Sequence, residues 1–368
     1  MKRRNLVLLA AASLAAFIAG PVVAAAANTP DGRVIVKFRE GSALKQIQAA
    51  GRVQSIASRL GLSARFIGQP SPDLHVMQAS GIDAETLAAR LGKESDVEYA
   101  VPDRRKQIKA LPNDPLYPHQ WYLQAANATQ PAATNAITAW NTSAGSSSVI
   151  VAVVDTGVRL DLEDLAGRLV PGYDFISDDL NSGDGQTGRD ADPSDPGDYV
   201  SASDLANRSF SNLCTGATVS NSSWHGTQVA SIVAADSNNS KGIAGIGGTA
   251  RILPVRVLGK CGGFDSDIIA GMRWAAGLPV PGVPANPNPA RIINLSLAGA
   301  GACSAAYTSA VAEVTVAGAL VVAAAGNESG PVEEPANCPG VLAVAGLRHV
   351  GTKVGYSSLG FEVGISAP

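Results

Sequence analysis

Five strongly apolar runs, Val149–Val154, Ile252–Leu258, Ile292–Leu297, Leu320–Ala325 and Val341–Ala345, recur across the last 220 or so residues of the chain. Helix-like spacing lies between several of them, over His225–Ala235, Ser266–Ala276 and Ala305–Val316. A strand with one wet face alternates apolar and polar residues, whereas a nearly continuous apolar strand must be covered on both faces. Strands of that kind alternating with helices predict an α/β fold, a parallel sheet covered by helices on both faces. Sites in such sheets form just past the carboxyl ends of the strands. That edge singles out Asp155, Asn327 and the turn at Leu297–Gly299.

The chain of 368 residues has room for two further parts before this domain. Lys2-Arg3-Arg4, the apolar run Leu6–Ile18 and the small residues up to Ala27 have the form of a secretory signal peptide over 1–27. Its apolar core is shorter than the ~20 residues that a membrane span needs. From Asn28 a smaller unit is expected. Arg33–Arg39, Leu74–Ala79 and Val97–Val101 read as strands, while Ser42–Leu60 and Asp83–Leu91 read as helices, which makes a small α+β sandwich. A polar, basic linker from Asp103 runs out near residue 110, where a protease would find exposed chain. The boundaries are therefore 1–27, 28–110 and 111–368. Asp178–Asp198, rich in Asp, Gly, Ser and Pro, reads as a surface insertion.

Hydrophobic residues make up 46% and charged residues 16%, which suits a buried core, and a net charge of -3 argues against nucleic-acid binding. No later stretch is long and apolar enough for stable membrane insertion, so a secreted protein, extracellular or periplasmic, is expected. In that compartment Cys214, Cys261, Cys303 and Cys338 can form two disulfides. Three connectivities are possible, and pairing in chain order closes two separate loops. A metal-thiolate site is the competing reading, although no gap resembles C-x-x-C.

Asp155 ends an apolar strand in IVAVVDTGV, His225 opens a helix in SWHGTQVAS, and Asn327 follows another strand in AAAGNES. Each pattern alone is often a turn or a cap. Together they carry a chemical logic. A hydroxyl is a weak nucleophile until an imidazole accepts its proton. A carboxylate then holds that imidazole in the useful tautomer, and an amide can meet the oxyanion.

These Asp-Thr-Gly, His-Gly-Thr and Ala-Ala-Gly-Asn segments, in that order, resemble the acid, histidine and oxyanion signatures of secreted subtilisin-like serine endopeptidases (subtilases, peptidase S8). The resemblance runs from the leader to Pro368. It implies that Asp155 orients, His225 serves as base and then acid, and Asn327 donates to the oxyanion. It also implies that Ser296, Leu297, Ala298 and Gly299 pair with an extended peptide and wall the pocket for the residue before the cleaved bond. The first unit resembles an inhibitor I9-type, ferredoxin-like propeptide, with Val97–Asp103 as its final strand and a cut expected between Arg105 and Pro112. Asp114, Asp164, Asp236 and Asn238 resemble parts of a structural calcium site, and the Asp178–Asp198 loop could hold a second ion. The implied partners are protein or peptide substrates and the chain's own propeptide, with a monomeric product.

Gln228 and Ala298 depart from common family residues without disturbing this reading. The nucleophile motif Gly-Thr-Ser-Met-Ala is a larger departure. Gly226-Thr227 leads into Gln228, Gly351-Thr352 leads into Lys353, and Ser357 and Ser358 lack an elbow context. The expectation is an endopeptidase whose serine lies beyond Pro368, inactive as the 368-residue chain. The alternative is a non-catalytic truncated relative that binds peptides as a decoy. An aspartic protease is disfavoured, since only Asp155 sits in an Asp-Thr-Gly motif and that chemistry needs two such carboxylates.

Overall fold

The computed structural model describes residues 31–104 and 111–368. The expected leader and the core of the expected cut region, residues 105–110, lie outside the described residues. The chain divides into two compact units, Met1–Ile108 and Lys109–Pro368.

In the first unit β1 (Gly32–Phe38), α1 (Ala49–Arg59), β2 (Ala64–Ser71), β3 (Leu74–Ala79), α2 (Ala84–Leu91) and β4 (Val97–Pro102) follow in order. The strands form an antiparallel sheet ordered β2-β3-β1-β4, the βαββαβ ferredoxin-like arrangement. Alternate β1 residues Val34, Val36 and Phe38 are fully buried against Ile56, Leu87 and Leu91. Asp83 caps α2 by accepting from Thr86 N at 2.7 Å. The helix expected over Ser42–Leu60 is broken. Ser42 Oγ accepts from Leu44 N at 3.1 Å and starts a 3₁₀ turn over Ala43–Gln46, and the extended Gln48 (ψ 153°) then restarts the chain as α1. β2 had no clear signal because Gly68 and Pro70 interrupt its pattern and its register shifts there.

The second unit contains α3 (Ala136–Trp140), β5 (Ile150–Asp155), β6 (Tyr173–Asp174), α4 (Asp179–Ser182), α5 (Ala202–Ala206), α6 (Arg208–Leu213), α7 (His225–Ala234), β7 (Arg251–Arg256), α8 (Asp265–Ala275), β8 (Ile292–Leu295), α9 (Ala305–Val316), β9 (Leu320–Ala324), β10 (Val341–Gly346) and β11 (Val363–Ala367). Every pairing in its seven-stranded sheet is parallel, in the order β11-β10-β9-β8-β5-β7-β6. All six residues of β5 are buried. Val151 and Val153 face Ala230 and Ala234 of α7, while Ala152 and Val154 belong to the cluster built with α8 and α9. Helices thus cover both faces at the centre, as the apolar runs require. Chain order moves from β5 to β7 on one side and then returns to β8 on the other. Such a reversal opens a crevice at the carboxyl ends.

On the α7 side, cover thins towards β11. Leu320 is 46% exposed and Ile365 54%, whereas Ile293 and Val321, on the opposite face, are fully buried. Two variants test this asymmetry. Ile293→Ala should cost ~2–5 kcal/mol in denaturant unfolding, and Leu320→Ala less than about 1 kcal/mol. Equal losses would contradict a face that is open only at that end.

Candidate active site

Asp155 ends β5 with no exposed surface, and its carboxylate needs partners there. Thr156 N donates to Oδ1 at 2.7 Å. His225 Nδ1 lies 2.7 Å from Oδ1 and 3.0 Å from Oδ2. A carboxylate only accepts, so the ring proton sits on Nδ1 and Nε2 is the free lone pair. The hydrogen bond that His225 donates to the Asp155 carboxylate raises the His225 pKa above its ordinary value, against partial desolvation that lowers it.

Several local features place that imidazole. Gly226 lets α7 approach β5: a Cβ there would collide with Gly157 O and crowd Asp155. Gly226 N donates to Thr156 Oγ1 at 3.0 Å, and that hydroxyl donates to Asp195 Oδ2 at 2.7 Å. Asp198 Oδ2 accepts from Ser223 Oγ at 2.7 Å, and Ser223 Oγ accepts from His225 N at 3.2 Å. Trp224 takes a left-handed conformation (φ 54°) between them, with the Arg159 guanidinium 5.1 Å from its ring. Gln228 Nε2 donates to Ser223 O at 2.8 Å and reinforces the turn.

His225 opens into a cleft of about 470 Å³ whose other wall is Ser296, Leu297, Ala298 and Gly299. Asn294 Nδ2 donates to Ser296 Oγ at 2.9 Å and fixes the start of that wall. Asn327 follows β9, which lies two strand places (roughly 10 Å) from β5, on the same carboxyl edge. Its side chain is exposed. A larger cavity of about 820 Å³ lies beyond Trp224, lined by Arg159, Gln228 and Ile232 among others, and does not include His225. Among the described residues no hydroxyl hydrogen-bonds the His225 ring. Ser358 is fully buried and donates to Glu333, and Ser357 donates to Ser358 O.

Residues 146–368 match the subtilase family, peptidase S8. The chain belongs to that family. It is 36% identical over 367 residues to the "Extracellular basic protease" of Dichelobacter nodosus, covering 94% of this chain and 57% of that protein. It is 42% identical over 288 residues to the "Extracellular protease" of Xanthomonas campestris pv. campestris, covering 78% of this chain and 47% of that one. The chain thus spans about half the length of these relatives. Among solved structures, that of proteases from Pseudoalteromonas arctica PAMC 21717 matches with a TM-score of 0.63 and 44% identity, over 70% of this chain and 72% of that one. The fold is subtilisin-like.

Disulfides join Cys214 to Cys261 and Cys303 to Cys338, the chain-order pairing, which removes the metal-thiolate reading. Asp114 and Asp164 are both buried and turn into the loop after α7. Asp114 accepts from Asn238 N (3.0 Å) and Asn239 N (3.2 Å), and Asp164 from Ile243 N (2.9 Å) and Asn239 Nδ2 (2.8 Å). Ser237 Oγ in the same loop is buried without a hydrogen-bond partner. Asp236 does not join them, because its carboxylate pairs with Arg168.

The 178–198 stretch is less superficial than expected. The Arg256 guanidinium, 1% exposed, pairs with Asp174 and Asp184 and donates to Ser182, drawing in α4. Asp174, Asp184 and Asp190 converge there, but that cation already offsets their charge. Asp195, at the end of the stretch, is buried beneath the Asp155–His225 pair. Sequence reading missed it, since nothing distinguishes it from its acidic neighbours.

Because the pair raises the folded-state value, its stabilising contribution is complete below the ordinary imidazole value of 6.5. It fades as pH rises through the higher folded value. Asp155→Asn should lower the His225 pKa, read by NMR titration of its ring signals. An unmoved titration would contradict the pairing.

Proposed function

We propose that this chain is part of a secreted serine endopeptidase precursor that hydrolyses peptide bonds of proteins. The observation that carries the reading is the hydrogen bond from His225 Nδ1 to the fully buried Asp155, at the mouth of a cleft walled by Ser296–Gly299. His225 Nε2 takes the proton of a serine hydroxyl, and Asp155 stabilises the resulting imidazolium. The extended substrate pairs with the edge at Ser296–Gly299, and the Asn327 amide donates to the oxyanion. His225 then protonates the leaving amine.

The serine belongs to a segment outside residues 1–368. Two observations support this: the unpartnered His225 ring face and the thin cover over Leu320 and Ile365. Residues 1–27 act as an export signal, and the product works outside the cytoplasm as a monomer. The first unit acts as a propeptide, supported by its ferredoxin-like topology and by the basic stretch after Asp103.

The protein expressed from its full gene should react with a fluorophosphonate probe and digest casein. His225→Ala should abolish both, and Asn327→Ala should lower kcat by about 10²–10³, the loss known for removing one such donor from subtilisin itself. The chain 1–368 alone should not label. Labelling of that chain would overturn the placement of the serine. Peptide binding by a full gene product that never labels would favour the decoy reading.

Calcium fits the loop after α7. Two buried carboxylates with no salt-bridge partner among the described residues, and an orphaned hydroxyl, make a hard oxygen set. Asp114, Asp164 and Asn238 would hold the ion, with Asp236 kept aside by Arg168. Calcium there supplies charge compensation and rigidity rather than chemistry. At 100 times its Kd it should stabilise the fold by ~2.7 kcal/mol. EGTA should lower the melting midpoint and Asp164→Asn should shrink that shift. Identical melting with and without calcium would contradict the site.

A further inference from the structure

Just past the carboxyl ends of the paired strands β8 and β9, two consecutive acids hydrogen-bond through their backbones to the chain leaving each strand. Gly299 N donates to Glu334 O at 2.8 Å and Glu334 N to Gly299 O at 3.0 Å, while Glu333 N donates to Ala325 O at 3.0 Å. Backbone hydrogen bonds thus tie Glu334 to the end of the wall Ser296–Gly299 and Glu333 to the chain just before Asn327. The Glu333 carboxylate lies flat on Gly326, where a Cβ would overlap it, and Ser358 Oγ donates to its Oε1 at 3.0 Å. Glu334 Oε1 accepts from Ser304 N at 2.6 Å, and the residue lines the cleft beside His225.

Neither acid is neutralised. Among the described residues no lysine, arginine or histidine forms a salt bridge with Glu333 or Glu334. Of the two acids, Glu334 lines the cleft beside His225, together with Asp198 and Asp265, and the lysine of that lining, Lys260, is held by Asp204 at 2.9 and 3.0 Å. The buried Tyr307 donates its hydroxyl to Asp265 at 3.1 Å. Burial, with the charges of Asp265 and Glu334, keeps that phenol well above its ordinary pKa, so it stays a neutral donor.

A half-buried carboxylate with one hydroxyl partner keeps acceptor capacity that an apolar side chain would strand and a cation would fill. We propose that Glu333, supported by Glu334, selects a lysine or arginine side chain on the residue immediately before the cleaved bond. This specificity rests on the peptidase reading above.

The test uses the protein expressed from its full gene and a series of otherwise identical peptide anilides ending in Arg, Lys, Leu, Phe or Glu. The kcat/KM for Arg and Lys should exceed that for Leu and Phe by about tenfold or more, and Glu should be poorest. Glu333→Gln keeps an oxygen for Ser358 but removes the charge, and should cut the Arg-to-Leu ratio about tenfold. Glu333→Asp should retain the preference, and Glu328→Gln, on the exposed part of the same turn, should leave the ratio unchanged. Salt raised from about 0.05 to about 1 M should narrow the wild-type ratio, a readout independent of any variant's folding. Cleavage with Leu or Phe preferred, or a ratio unmoved in Glu333→Gln, overturns the specificity and leaves the peptidase standing. A folded protein that cleaves neither this series nor casein overturns both.

Discussion

Asp155 is a carboxylate with no exposed surface at the end of the central strand, and much of the second unit is arranged to make that tolerable. An unpartnered buried charge costs several kcal/mol, so donors must be brought to it. The Thr156 amide supplies one and the His225 imidazole the other, across 70 residues of chain. Bringing the imidazole there demands a glycine at 226, a left-handed Trp224 and a Thr156 hydroxyl anchored on Asp195. The same geometry leaves Nε2 facing the cleft. Stability at the strand end and an imidazole open to the cleft are one arrangement.

The sheet topology makes that arrangement useful. β5 sits where chain order reverses, so its carboxyl end adjoins β8 and the wall that continues through Gly299. Asn327 leaves β9 on the same edge. Past the ends of β8 and β9 the chain places two acids, Glu333 and Glu334, tied by backbone hydrogen bonds to Ala325 and Gly299. Asp155 and Glu333 differ in one respect. Asp155 is fully partnered, and Glu333 is not.

Much of this was legible in the sequence because burial on both faces leaves a mark. β5, β7, β8, β9 and β10 stood out as apolar runs, and α7 and α9 were read within a residue of their ends. β6 escaped because two residues carry no period, and β11 because Gly364 and Ser366 interrupt it. The roles of Asp155, His225 and Asn327 were suggested by their motifs, but motifs carry no distances. Asp195, Arg256 and Glu333 were invisible for a related reason. Each looks like an ordinary charged residue until the fold sets it against a partner far along the chain.

The account rests on the proton of neutral His225 sitting on Nδ1, held by Asp155, so that Nε2 is the basic nitrogen. ¹⁵N chemical shifts of the ring, recorded above the imidazole pKa in protein labelled at histidine, report the tautomer directly. A protonated Nδ1 with an unprotonated Nε2 is the predicted result. A proton on Nε2, with Nδ1 free, would contradict it.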